Sequence, residues 1–185
     1  MVFYILRHEN RNRGDCAFFS PLNHIGKHNV KTRLFTKFNS IDLDEIYSSP
    51  YKRTLDTVST ISQVKDTPIK IDWALSERLD VTDINKYRWP SKEKQEELHN
   101  KYSIDKNYIP TANIDYINSY SETEDKYHTR VDNFIQYLRT KGDKAILVVS
   151  HQSIIDRIIK KLTGKTYSVA MGECYEVLLN DESTI

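Results

Sequence analysis

Five side chains stand just past strand-like apolar runs, and their types are those that handle phosphate. Arg7 and His8 follow the run 2–6, Arg53 follows Ser48-Ser49-Pro50, Glu77 follows the alternating run 69–73, and His151 follows the aliphatic run 145–149. Two guanidiniums can grip non-bridging phosphate oxygens in bidentate fashion. One imidazole can attack phosphorus through a neutral ring nitrogen while the other donates a charge-assisted bond. A protonated carboxyl group beside the leaving oxygen completes such a set, and Glu77 is the best-placed candidate, with Asp80, Asp83, Glu122 and Glu124 as alternatives close by in sequence. The set needs no metal and no organic cofactor, and its ligand is a phosphorylated substrate.

These residues are far apart along the chain, so parallel strands lying side by side must gather them. The run 2–6 predicts a buried first strand, and Ser20-Pro21 predicts a helix start with Ser20 as the cap and Pro21 in the first turn. Leu22, Ile25, Val30 and Leu34 approximate one face of that helix, and Gly26 allows it to lie close to the sheet. A strand over 41–47, a helix over 51–64 and a strand over 69–73 follow. Residues 79–120 have no sustained period and are too long for a plain loop, so they predict an inserted lid with a short helix over 91–102. Ser121 and Glu124 form a capping box before the apolar period Tyr127, Val131, Phe134, Ile135 and Leu138, which Gly142 closes. The run 145–149 predicts a strand buried on both faces, and Ile154, Ile155, Ile158, Ile159 and Leu162 the inner side of a helix stopped by Gly164. A last strand is expected over 174–179 and a loose tail after it. Alternating strands and helices imply an α/β fold with a mostly parallel sheet, whose ligands bind beyond the carboxyl ends of the strands.

With 185 residues the chain has the size of one domain, and its 38% hydrophobic content is enough for a packed core. The 27 Lys and Arg against 26 Asp and Glu leave a net charge of +1, which supplies no basic field for nucleic acid or an anionic membrane. No apolar run approaches the roughly 20 residues that span a bilayer. Val2 to Leu6 meets Arg7 at once, unlike a signal peptide, and two cysteines without a CxxC fit a reducing compartment, so a cytoplasmic protein is expected. Oligomeric state is not legible.

The blocks Arg7-His8, Ser20 to Gly26, Ser48-Ser49-Pro50-Tyr51-Lys52-Arg53-Thr54-Leu55-Asp56-Thr57, Leu75-Ser76-Glu77 and Val148-Val149-Ser150-His151 closely resemble the histidine phosphatase superfamily, in its phosphoglycerate mutase-like branch. The stretch 48–57 is the most specific of them. The resemblance implies a three-layer α/β/α sandwich and a metal-independent phosphatase that hydrolyses a phosphomonoester through a phosphohistidine on His8. It implies that Arg7, Arg53 and His151 bind and stabilise the transferred group, and that Glu77 acts as general acid and then as base. Phosphoglycerate mutase-type transfer and a catalytically inactive phosphate-binding protein are the alternative readings. The sequence departs from the family pattern at Glu9 and Gln152, where Gly is usual, and at Gly14, where Asn is common. Arg11 fits a variant in which an Arg three residues after the His adds phosphate contacts, and it is expected to offset Glu9. Nucleotide, sugar phosphate and phosphoprotein all remain open as substrates, a small molecule being the expectation.

His24 and His28 are spaced i, i+4 but have no third metal ligand, so a solvated face is expected. Tyr87, Trp89, Tyr102 and Tyr108 of the lid are expected to cover the domain's own core rather than to select a substrate.

Overall fold

The computed structural model describes residues 1–12, 18–78, 90–112 and 122–179. Five strands form one sheet: β1 (Val2–Arg7), β2 (Glu45–Ser48), β3 (Ile69–Ile71), β4 (Ala145–Ser150) and β5 (Cys174–Leu178). Their order is β3-β2-β4-β1-β5, with the first four parallel and β5 antiparallel to β1. The register sets Arg7 opposite Ser150 and Ser48 opposite Val149, so three strands end level with one another at one edge. β4 lies between β1 and β2, and Ile146, Leu147, Val148 and Val149 have no exposed surface. That is the burial expected of a strand with helices over both faces.

On one side the helix α1 (His24–Asn29) runs through a π turn (Val30–Leu34) into α2 (Phe35–Asn39) and packs with α3 (Lys52–Lys65). Further along come α4 (Lys92–His99), α5 (Glu124–Arg139) and α6 (Gln152–Thr163). α5 packs against α6, which turns Ile154, Ile155, Ile158, Ile159 and Leu162 inward. Gly164 ends α6 with a positive φ of 72°. Each inward Ile side chain removes apolar surface from water, a gain of about 2 kcal/mol before entropy is counted.

Several expected boundaries shift, among them the strand expected over 69–73, which ends at Ile71 before Asp72 caps a 3₁₀ turn over Trp73–Leu75. Ser20 and Pro21 do not start a helix: Leu22 is held extended by a bridge to Arg11, and Asn23 caps α1 instead, its side-chain oxygen accepting the Gly26 N–H at 2.9 Å. Ile25 consequently faces outward at 48% exposure, while Leu22, Val30 and Leu34 are buried. A Cβ on Gly26 would fall 2.3 Å from the Asn10 carbonyl oxygen, so the close approach is to the loop after β1 rather than to the sheet. The strand expected over 41–47 is confined to Glu45–Ser48; just before it Asp44 ties to the start of β4, its N–H donating to the Ala145 carbonyl at 2.9 Å and its carboxylate accepting the Ala145 N–H at 2.7 Å. Thr123 caps α5 by accepting the Lys126 N–H, and Ser121 of the expected capping box lies outside the described residues.

Much of the expected lid, together with Gly14 and the tail, also lies outside them. Within 90–112, Ile104 bridges Ile69 and the Ile69 N–H donates to the Ser103 carbonyl at 2.8 Å, which covers the β3 edge of the sheet. Tyr102 donates to Asp56 and Tyr108 to Asp72, each at 2.6 Å, and both rings pack on the core. His24 and His28 are exposed, as expected. Among the described residues no helix is long and apolar enough to cross a membrane.

Candidate active site

The level ends of β1, β2 and β4 bring the first residues beyond them together. The His8 N–H donates to the Ser150 carbonyl and the Ser49 N–H to the Val149 carbonyl, both at 3.0 Å, so the chain leaves each strand still tied to β4. His151 is the extended N-cap residue of α6, and Arg53 lies in the first turn of α3 after the Tyr51 cap. Glu77 follows the 3₁₀ turn Trp73–Leu75 beyond β3. The rings of His8 and His151 are 5.4 Å apart at 63°, and the Arg53 guanidinium donates to Nδ1 of His151 at 3.2 Å and pairs with the Glu77 carboxylate. Four of the expected residues are thus joined by these contacts.

Hydrogen bonds set the tautomer of each ring. Nδ1 of His8 lies 2.8 Å from the Glu9 carbonyl oxygen, which can only accept, so His8 carries its proton there and leaves Nε2 with a lone pair. His151 is the reverse: Nδ1 accepts from Arg53, which leaves Nε2–H to donate to the Ser49 hydroxyl at 2.8 Å. Both rings are held neutral. Burial, followed by the positive charge of Arg53 and the smaller effects of Arg7 and Arg11, pulls His8 down to about 3, outweighing the bond to Glu9. Burial and Arg53 likewise push His151 well below its ordinary value, and His8, Arg11 and Arg130 add to the effect. The site is a pair of neutral imidazoles set in a positive field.

Arg7 donates to the Gln152 side-chain oxygen and, at 3.0 Å, to the Val169 carbonyl. Its Nε–H is buried without a hydrogen-bond partner among the described residues. Gln152 is itself held by Asp156 at 2.9 Å and Ser168 at 2.8 Å, so the side chain at this usual glycine position braces Arg7. Arg11 is bridged through its backbone to Leu22 and adds positive charge to both histidines. The charge of Glu9 is met by Arg33. Glu9 turns away from the two rings into a fully buried position, where its ion-pair partner is Arg33 and Asn10 and Asn29 complete its bonds. The helical segment after α1 carries Arg33 up to the carboxylate.

Among the alternatives to Glu77, Glu122 is sequestered in a buried pair with Arg130, and Glu124 sits outside with Arg78 and His128. Asp80 and Asp83 lie outside the described residues. Sequence reasoning missed Ser49, Tyr51, Thr57 and Arg33. The first three fall inside the stretch 48–57, whose specificity was the available signal: Tyr51 underlies the Arg53 guanidinium at 4.5 Å, and the Thr57 hydroxyl accepts the Glu9 N–H at 3.0 Å. Arg33 has no local signal, being one of several basic residues on a helix.

A family model described as histidine phosphatase superfamily (branch 1) matches residues 9–172. A Hydrogenobacter thermophilus protein with the provisional name phosphoserine phosphatase 2 is 25% identical over 169 residues, covering 87% of this chain and 78% of that protein. Among solved structures, the α-ribazole phosphatase of Shigella flexneri superimposes with a TM-score of 0.67 at 20% identity, covering 98% of this chain and 92% of that one. A mycobacterial glucosyl-3-phosphoglycerate phosphatase gives 0.63 at 14% identity, covering 95% and 88%. These two likenesses concern the fold. The matched stretch opens one residue after His8, so the two leading residues rest on the contacts described above, while the rest of the site falls within it. The chain therefore belongs to the histidine phosphatase superfamily and is a phosphatase of its first branch.

Proposed function

We propose that this phosphatase hydrolyses the phosphomonoester of a small molecule through a phosphohistidine formed on Nε2 of His8. The observation that carries the reading is the His8 ring itself: buried, neutral, and with its only N–H committed to the Glu9 carbonyl. In the first half-reaction Nε2 attacks phosphorus, the bond to the ester oxygen breaks, and Glu77 as a carboxylic acid gives that oxygen its proton. In the second, the Glu77 carboxylate takes a proton from water, the water oxygen attacks phosphorus and the P–N bond breaks. Inorganic phosphate leaves and His8 is again neutral.

Arg7 and Arg53 hold the non-bridging oxygens, with Arg11 adding positive charge. Phosphate oxygens replace Glu77 on Arg53, which frees the carboxyl group to stand beside the ester oxygen. The same dianion reverses the field around His151, which takes up a proton and donates to the phosphoryl group. Transition-state charge in phosphoryl transfer is stabilised chiefly by positioned cations. Arg53→Ala is therefore expected to lower kcat by about 10²-fold or more, against small effects at exposed residues of α4.

The names of the similar proteins refer to phosphoserine, α-ribazole and a glucosylated phosphoglycerate, all small compounds. That range supports a small-molecule substrate without choosing among them. The test is a rapid quench with ³²P-labelled phosphomonoester into alkaline denaturant. Wild type should carry an acid-labile, alkali-stable label that His8→Ala lacks. A label that survives in His8→Ala would refute the nucleophile. Transfer between 3-phosphoglycerate and its bisphosphate in place of phosphate release would move the activity to the mutase class.

A further inference from the structure

Glu9 is a fully buried acid beside the proposed nucleophile, and the mechanism above gives its side chain nothing to do. We infer that the Glu9–Arg33 pair is a positioning clamp that fixes the His8 ring in its Nδ1–H tautomer and aims Nε2 at phosphorus. The inference rests on His8 being the nucleophile.

Four donors converge on the two Glu9 oxygens: the Arg33 guanidinium on one, and the Asn10 N–H at 3.0 Å, the Asn10 amide at 3.0 Å and the Asn29 amide at 3.1 Å on the other. The backbone of Glu9 is fixed at both ends as well. Its N–H donates to Thr57, and its carbonyl accepts the His8 ring proton at 2.8 Å. Arg33 donates in addition to the Gly172 carbonyl at 2.8 Å, and the Gly172 N–H returns to the carbonyls of His8 and Arg7 at 3.1 Å. The circuit is closed: His8 is held at its ring by the Glu9 carbonyl and at its own carbonyl by Gly172, and the Glu9–Arg33 pair joins those two anchors.

The π turn supplies the geometry. The Phe35 N–H reaches back to Val30, five residues away, and the wider turn presents Arg33 and Asn29 together to the carboxylate. A π turn inside an α-helix commonly marks such a site. Stability alone gives a weak reason for the arrangement, because the Arg33 side chain is 52% exposed and a half-wet pair is worth little. Orientation of the nucleophile gives a strong one, since small misplacements of a reacting group cost about 10²-fold in rate.

The test compares wild type with Arg33→Met, Glu9→Gln, the double variant and Arg33→Lys. Arg33→Met leaves a buried carboxylate without its cation and should unfold at lower urea. The double variant removes that charge and should recover the midpoint. The clamp requires kcat to stay depressed about tenfold or more in the double variant, with KM within threefold of wild type. Arg33→Lys, which still donates, should restore most of the rate. Long-range ¹H–¹⁵N correlations of the His8 ring should show the Nδ1–H tautomer in wild type and a mixture in the double variant. Recovery of kcat together with the midpoint, or an unchanged tautomer, overturns the clamp. Turnover by His8→Asn would instead overturn the nucleophile, and the ring correlations in the other variants would still report on the clamp. If Arg33→Met fails to fold, the double variant and Arg33→Lys decide the matter alone.

Discussion

Each imidazole of the site takes its tautomer from a different kind of neighbour, His8 from a backbone carbonyl and His151 from a cation, and that difference divides their roles. An acceptor that is part of the main chain can be displaced only by moving the chain, so the elements behind Glu9 become part of the chemistry. Gly172 shows how little room they leave. Its φ is +71°, and a Cβ there would fall 2.0 Å from the nearer Glu9 oxygen and 2.3 Å from the Arg33 guanidinium. Gly172→Ala should therefore lose about 3 kcal/mol or more of stability, combining left-handed strain with a clash against the Glu9 carboxylate and its Arg33 partner. It should also lower kcat, as read by urea unfolding and turnover of the same preparation. An alanine variant as stable and active as wild type would show that the loop shifts freely. That His8, Arg53, Glu77 and His151 come together was legible in the sequence, because each lies shortly beyond a recognisable run. Arg33 and Gly172 were not, because the meaning of an ordinary helical Arg or a loop Gly depends on what packing sets beside it. The pairing of Glu9 with Arg33 was unreadable for the same reason, since position along the chain says nothing of which arginine the fold brings to that carboxylate.

Elements with uniform burial were read correctly from pattern alone, as β4 and α6 show, since four aliphatic residues in a row and an i, i+3, i+4 stripe each have one economical solution. Ends were read less well. Ser20-Pro21 has a good helix-start composition, yet the Arg11–Leu22 bridge keeps the chain extended past it and the cap passes to Asn23. A non-local pairing outweighed a local preference. The C-terminus of α6 involves no such competition. Gly164 has φ +72° and nothing within 4 Å of where a Cβ would stand, so Gly164→Ala isolates the conformational cost of the left-handed residue. We expect a loss of about 1 kcal/mol in urea unfolding, with kcat unchanged within twofold. A loss equal to that of Gly172→Ala would mean that backbone strain, and not the clamp, dominates at both positions. The contrast matters because α6 carries His151 at its other end, thirteen residues away from the substitution along a rigid helix.

At the scale of the whole molecule, a parallel sheet that collects cations at one edge and buries two imidazoles among them must tie its stability to pH. His8 is held down to about 3 by burial and by the charges of Arg53, Arg7 and Arg11, against about 6.5 in the unfolded chain. Between those values the unfolded state binds the proton and the folded state does not. The contribution of His8 is accordingly complete above pH 6.5 and is lost as pH falls toward 3, and His151, shifted the same way, adds to it. Glu45 at the other end of β2 acts later. Burial pushes its carboxyl up, but hydrogen bonds from Lys144, Tyr47 and Lys70 outweigh that and leave it at about 2, so its contribution is lost only as pH falls below about 4.5. The interval from pH 7.5 to 5 is therefore governed by the histidines. Over it His8 alone should cost the wild type about 2 kcal/mol, and urea midpoints of His8→Asn should decline correspondingly less. Parallel pH profiles for the two proteins would mean that His8 takes up its proton within the folded state. The neutral ring on which the phosphohistidine reading depends would then be lost.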